Sequence, residues 1–520
     1  DGEDIFFFYG IPYASAPTGT RRFTAPLPGP VWMQPFEAVK SDIICPQGKL
    51  KYLNLDDYDM REDCLVANVY MPDTTETNLP VVVYVHGGAY QVGFGEAMTP
   101  TALVRSKKVV AVTFNYRLGV HGFLCLGTEG APGNAGMKDQ VALLRWVNKN
   151  IANFGGNPDD VTIAGYSAGS SAVDLLMLSE STKGLYNKVI PESGASVGVW
   201  SVQVDPVQTA KKFAKQLKFN NLDDIYALEE FYTTASYDAI TSDIFFGETD
   251  STFVFSPCVE RDTGVEKFLD DAPVNILKQG KYRRVPLLYG FANMEGLFRI
   301  ADFVQWKDKM NERFSDFLPA DLQFKNDEER ERAAQVIKEF YFGAEPVSEN
   351  TIQGYIDYFS DVIFAYPHLR SVELQVNAGS NSIYLYEYSF FKPYPENIGL
   401  PDFMKNIRGA AHCAQSNIIQ EANKYSGNVG DDAEDYLKMK ATMVELWINF
   451  ITTGKPVPEG SKLPSWPPVG QNRSPYMNLD LELELKGPLI EQRARFWDEI
   501  YERFYKMPVA PSDPRVRSEL

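Results

Sequence analysis

Val161 to Ser170 reads VTIAGYSAGS, and no other stretch restricts the possible folds of this chain so strongly. Val161-Thr162-Ile163-Ala164 is a short apolar, partly β-branched run, the pattern of a buried strand. Gly165-Tyr166-Ser167-Ala168-Gly169 follows as G-x-S-x-G, and Ser170 to Leu178 has the character of a helix. Strand, sharp turn and helix in that order lift the serine hydroxyl to the top of a sheet on a strained backbone. At Gly165 and Gly169 the strand and helix approach so closely that a Cβ would clash. The helix N-terminus points N–H groups toward the place where an oxyanion would develop. The competing reading is a glycine-rich turn with a solvent-facing serine. An oxyanion loop upstream, and an acid and then a histidine downstream, decide between the two.

The upstream element is present. Leu79 to Val85 is a nearly continuous apolar run, the pattern of an inner strand of a parallel sheet. It leads into His86-Gly87-Gly88-Ala89-Tyr90, a small-residue loop whose main-chain N–H groups can approach a ligand closely. Val109 to Phe114 reads as a further buried strand. Lys138 to Ile151 has helical spacing through Val141, Leu144, Trp146, Val147 and Ile151. This alternation predicts a doubly wound sheet. Downstream, the strand-like Leu287-Leu288-Tyr289-Gly290 leads to Glu295-Gly296, which puts a carboxylate at the C-terminal end of a strand. Ser382 to Tyr388 reads as another strand, and Ile407 to His412 sets a histidine on a small-residue loop. The order Ser, acid, His is the order of an α/β hydrolase. The chain has only four histidines. Of the others, His86 is read as orienting backbone, and His121 and His368 as structural.

Composition excludes some alternatives. A net charge of −19 argues against a nucleic-acid partner. No apolar run approaches the length of a membrane span. No C-x-x-C pair occurs among the five cysteines, so neither a zinc ribbon nor a thioredoxin-like site is expected. Cys45 and Cys64 bracket a polar loop. They could close a disulfide in an oxidising compartment, or stay as two thiols in a cytosolic enzyme. The helix expected over Asn326 to Tyr341 is read as a solvated insertion. Without repeats or linkers, residues 1–520 are expected to form one domain with long insertions and a mobile tail after about residue 508.

With these pieces placed, the sequence resembles the type-B carboxylesterase and cholinesterase family, in its non-cholinesterase carboxylesterase branch, insect members included. Phe154-Gly155-Gly156-Asn157-Pro158-Asp159-Asp160 through Gly169 is similar to the family's serine signature, and Glu62-Asp63-Cys64-Leu65 through Pro72 to its second signature. Tyr9 to Ala14, Arg22-Phe23 and Asn115 to Gly119 also match. The resemblance spans about residue 8 to about residue 505 and implies an α/β-hydrolase fold, a mostly parallel twisted sheet with helices on both faces.

Carried over position by position, the resemblance makes Ser167 the nucleophile, Glu295 the acid and His412 the base. Gly88, Ala89 and Ala168 become the oxyanion-hole donors, and Cys45–Cys64 the first disulfide; Cys125, Cys258 and Cys413 are then expected to remain thiols. It implies a secreted serine carboxylesterase that needs no cofactor or metal and acts on small hydrophobic esters. A slow, ligand-sequestering member or a non-catalytic adhesion-type member of the same fold is the alternative. The tail Arg517-Ser518-Glu519-Leu520 loosely resembles a retention signal, which keeps the endoplasmic-reticulum lumen, beside the cytoplasm, as the other location. Two departures stand out. Cys413-Ala414-Gln415 follow the histidine where the family usually has acidic residues, and the loop Pro46 to Asp63 lacks the tryptophan that cholinesterases use for choline. Without that cation–π platform, quaternary ammonium substrates are disfavoured. Tyr90, Phe94 and Phe298, each near an assigned element, are the expected aromatic lining of the substrate pocket. The oligomeric state is left open.

Overall fold

Valine and isoleucine runs lie in the middle of a sheet covered on both faces, and a computed structural model shows how. It describes residues 4–40, 42–48, 55–241, 247–392, 401–422 and 433–513; the tail 517–520 lies outside them. The main sheet comprises Ile5–Pro12 (β1), Val66–Pro72 (β2), Leu79–Val85 (β3), Val110–Phe114 (β4), Gly156–Tyr166 (β5), Lys188–Glu192 (β6), Leu287–Ala292 (β7), Ile383–Tyr388 (β8), Tyr476–Leu479 (β9) and Glu484–Lys486 (β10). Their spatial order is β1-β2-β4-β3-β5-β6-β7-β8-β9-β10. Every neighbouring pair from β4 to β9 is parallel. The pairs at the two edges are antiparallel.

Alternate residues of the inner strands serve two separate cores, as the two-residue repeat of a strand requires. Val81, Val83 and Val85 of β3 and Ile163 of β5 face Ala135–Asn150 (α1) and Ala168–Leu178 (α2), packing with Leu144, Val147, Leu175 and Leu176. Val82 and Tyr84 of β3 and Ala164 of β5 face the opposite side. There they meet Met443, Leu446, Trp447 and Phe450 of helix Glu434–Thr453. Emptying one such position, for example Leu446→Ala, costs roughly 2–5 kcal/mol.

Strand β5 begins at Gly156, before the run at Val161 that sequence periodicity marks. Its register against β3 shifts between Gly156 and Val161, so a polar stretch is carried into the strand. The expected bond between Cys45 and Cys64 is present, with sulfurs 2.05 Å apart. The expectation of three thiols is corrected. Cys125 and Cys258 are bonded to each other, which leaves Cys413 as the free cysteine. These two residues are 133 positions apart and meet only because the fold brings the loop before α1 beside the segment around Cys258. The stretch after residue 508 is also less detached than expected. Val509 N–H donates to the Val204 carbonyl at 3.3 Å, and Asp513 pairs with Arg261 at 3.3 Å. No helix among the described residues is long and apolar enough to cross a membrane.

Candidate active site

The predicted residues come from the C-terminal ends of β3, β5, β7 and the segment after β8, where parallel strands of an open sheet present their loops together. Ser167 sits between β5 and α2 with φ 54° and ψ −122°, a conformation that costs an L-residue on the order of 1–3 kcal/mol. Its own N–H donates to the carbonyl of Glu192 at 2.9 Å, which locks the turn onto β6. A Cβ on Gly165 would lie 2.4 Å from the Gly169 carbonyl oxygen, and one on Gly169 2.1 Å from that of Val85. Only glycine allows strand and helix to meet here.

His412 Nε2 lies 2.9 Å from Ser167 Oγ, and His412 Nδ1 lies 2.5 Å from Glu295 Oε2. Nδ1–H therefore donates to the carboxylate, and Nε2 accepts from the serine hydroxyl. Glu295 is completely buried. Its Oε1 accepts from Ala292 N–H at 2.8 Å and from Ser193 Oγ at 2.5 Å. Gln415 Nε2 in turn donates to Ser193 Oγ at 2.6 Å. The acid turn and the histidine loop are also clamped to each other. Ala410 N–H donates to Asn293 Oδ1 at 2.8 Å, and Met294 N–H to the Ala410 carbonyl at 3.0 Å.

The loop after β3 is strained in the same way as the serine turn. Gly88 has φ 106°, where a Cβ would lie 2.0 Å from the Val92 carbonyl oxygen, and Ala89 and Tyr90 have φ of 56° and 61°. The Gly88 carbonyl is occupied by Gln91 N–H at 2.9 Å and Val92 N–H at 3.0 Å. Among the described residues the N–H groups of Gly88, Ala89 and Ala168 donate to no main-chain acceptor. His86 braces this loop. It is stacked on Tyr116 at 4.3 Å, its Nδ1 bonds the Gly87 carbonyl, and burial pushes its pKa down to about 4, so it stays neutral. His368 is held similarly: its Nε2 accepts from Gly194 N–H at 3.1 Å, and burial lowers it to about 4. His121 is buried with Nε2 3.4 Å from Glu62 Oε1. Among the described residues no cluster of three or more His, Cys, Asp or Glu could hold a metal ion.

The three expected pocket residues divide. Phe298 packs edge-on against His412 at 5.2 Å. Tyr90 lies beneath the loop, donating to Ser171 Oγ at 2.8 Å and packing on Phe123 and Trp200. Phe94 is corrected: it belongs to a separate small core with Ile44, Leu55 and Tyr58. Nearness in sequence to Gly88 misled here: the Phe94 ring packs on Tyr58, with centroids 4.8 Å apart. Aromatic residues missed from the sequence also lie around His412. Phe364 is stacked on His412 at 4.1 Å, and Trp200 and Phe253 continue the aromatic wall at 6.0 Å from Phe364 and 6.1 Å from Phe298. Ser193 and Gln415 were missed as well. The only available signal was the placement of Ser193 in the turn after a strand and of Gln415 three positions after His412.

This sheet and the loops it presents define the α/β-hydrolase class. The chain belongs to the carboxylesterase family, whose description "Carboxylesterase family" matches residues 1–497; it is a carboxylic ester hydrolase. It is similar to Esterase FE4 of Myzus persicae, with 33% identity over 488 residues covering 91% of this chain and 84% of that protein. It is also similar to the juvenile hormone esterase of Heliothis virescens, with 32% identity over 490 residues covering 90% of this chain and 85% of that one. Among solved structures, juvenile hormone esterase from Manduca sexta with OTFP covalently attached superposes with a TM-score of 0.83 at 29% identity. That match covers 96% of this chain and 95% of the other.

Proposed function

We propose that the chain hydrolyses hydrophobic carboxylic esters through an acyl-enzyme on Ser167. The observation that carries this reading is the unbroken run of hydrogen bonds from Ser167 through His412 to Glu295, together with three N–H groups that donate to no main-chain acceptor among the described residues. As Ser167 Oγ bonds to the ester carbonyl carbon, its proton passes to His412 Nε2. The carbonyl π pair moves onto oxygen, where Gly88, Ala89 and Ala168 N–H groups hold it. Each such donor is worth roughly 3–4 kcal/mol in the transition state. Collapse expels the alcohol oxygen, which takes the proton from His412. Water then attacks the acyl-enzyme by the same route, His412 again accepting and returning the proton. Glu295 holds the imidazole tautomer and stabilises the imidazolium that forms at each attack.

The aromatic wall of Phe298, Phe364, Trp200 and Phe253 favours apolar substrate groups over charged ones. The covalent adduct borne by the Manduca sexta relative supports acyl-transfer chemistry. Two disulfides favour an oxidising compartment, so the proposed location is extracellular, with the endoplasmic-reticulum lumen as the other oxidising choice. Pre-steady-state hydrolysis of a p-nitrophenyl ester tests the mechanism. The expected result is a burst of one product per chain followed by sustained turnover. A burst without turnover would mean a ligand-sequestering protein, and the absence of both a non-catalytic binding module.

A further inference from the structure

A second carboxyl lies just behind this site, and the mechanism above does not use it. Glu192 ends β6, and its main-chain carbonyl is the acceptor for Ser167 N–H. The next residue, Ser193, donates to Glu295. Glu192 thus joins the turn that carries the nucleophile to the turn that holds the acid. Its side chain is fully buried. Oε2 accepts a short hydrogen bond from the Tyr84 hydroxyl of β3, and among the described residues the group that Oε1 can reach is the Ser416 hydroxyl, outside ordinary hydrogen-bond geometry.

Among the described residues no cation faces Glu192 to balance a charge. Tyr84 faces Glu192 from β3, Tyr386 from β8, and Cys413 and Ser416 from the segment after His412, with Glu295 beyond Ser193. Tyr166 of β5 adjoins Tyr84, with ring centroids 6.2 Å apart. Every titratable group in this set is an acid, and among the described residues no ion pair reaches Glu192. A lone buried carboxylate costs several kcal/mol, so such a group retains its proton. Burial raises Glu192 to about 8 against hydrogen bonding from Tyr84 and Ser416. As a neutral acid, Glu192 keeps one acceptor oxygen for Tyr84 and carries an O–H donor on the other.

From this geometry we infer that Glu192 is a positioning residue for ester hydrolysis: kept as an uncharged acid, it holds the Ser167 turn and Ser193 in register and leaves Glu295 as the sole carboxylate charge behind His412. Ionising it forces a second negative charge into a space without counter-ions. The Ser193–Glu295 bond and the serine turn then lose their seating, so the catalytic rate falls while the fold persists. This inference rests on Ser167 being the nucleophile.

The test compares wild type with Glu192→Ala and Glu192→Gln, the amide being the neutral acid's isostere, with p-nitrophenyl acetate between pH 6 and 10. At pH 7 Glu192→Ala should lose about tenfold or more in kcat, and Glu192→Gln should recover most of that loss. The wild-type kcat should decline above about pH 8, and the decline should be absent from Glu192→Gln. An alkaline decline equal in wild type and Glu192→Gln would overturn the inference, as would a Glu192→Gln loss as deep as that of Glu192→Ala. Thermal melting keeps the proposal testable if the alanine variant fails to fold. A group whose pKa is raised by folding loses stability as pH rises between its unfolded and folded values. The Tm of wild type relative to Glu192→Gln should therefore fall progressively from about pH 5 to pH 8, and a constant difference would count against a neutral acid. A wild-type burst with unchanged Glu192→Gln profiles sinks this inference alone; no wild-type burst sinks the catalytic reading with it.

Discussion

Ser193 Oγ donates to Glu295 Oε1 at 2.5 Å while Gln415 Nε2 donates to the same hydroxyl at 2.6 Å. One hydroxyl therefore ties together the turn after β6, the acid after β7 and the helix Ala414–Ile419 that follows His412. The side of His412 where the family usually carries acidic residues is filled here by an amide, and Glu295 is nonetheless fully supplied with donors.

Ser167→Ala should reduce aryl-ester turnover by roughly 10⁴-fold or more, as loss of a serine nucleophile does elsewhere. Stability should change by no more than about 1 kcal/mol, because the hydroxyl makes one hydrogen bond, to His412. Turnover near the wild-type value would place the nucleophile elsewhere.

Glu295→Gln should cost roughly 10²–10⁴ in kcat. Stability should also suffer, by about 1–3 kcal/mol, because an amide nitrogen would face Ala292 N–H and Ser193 Oγ–H, or the ring N–H of His412. Kinetics and a urea titration on one preparation check both. A kcat loss below about tenfold would assign the acid's role to another carboxylate.

Hydrophobic esters should outcompete choline esters. Phe298 and Phe364 pack against His412, and the loop between Cys45 and Cys64 has no tryptophan to stack on a quaternary ammonium. Competing butyl and choline esters of one acid give the ratio of kcat/KM values directly. A higher value for the choline ester would refute this specificity.

Non-reducing peptide mapping should recover Cys45 linked to Cys64 and Cys125 linked to Cys258, with Cys413 as the single free thiol. Cys413 should resist iodoacetamide at pH 8 in the folded protein and react on unfolding. Burial, with Glu295 and Glu192 nearby, holds its pKa well above the usual thiol range, and the thiolate is the reactive form. By loop-closure entropy, reducing the bond across 133 residues should cost roughly 5 kcal/mol and the bond across 19 roughly 3. Prompt alkylation of native Cys413 would contradict its packing.

The sequence alone determined what depends on neighbours along the chain. The strand–Ser167–helix turn, the Gly88 loop, Glu295 at a strand end and His412 on a small-residue loop are local patterns, set by periodicity and by glycines that only their own turns require. Family resemblance linked these pieces across long separations. The tertiary structure alone decided what depends on which loops meet. Cys258 found Cys125 across 133 residues, Ser193 and Gln415 converged on Glu295, and Phe364 rather than Phe94 came to lie against His412. The physical reason is that conformational preference acts within a few residues, whereas contact across the ends of parallel strands is set by sheet order and by the paths of the intervening insertions, neither of which local patterns encode.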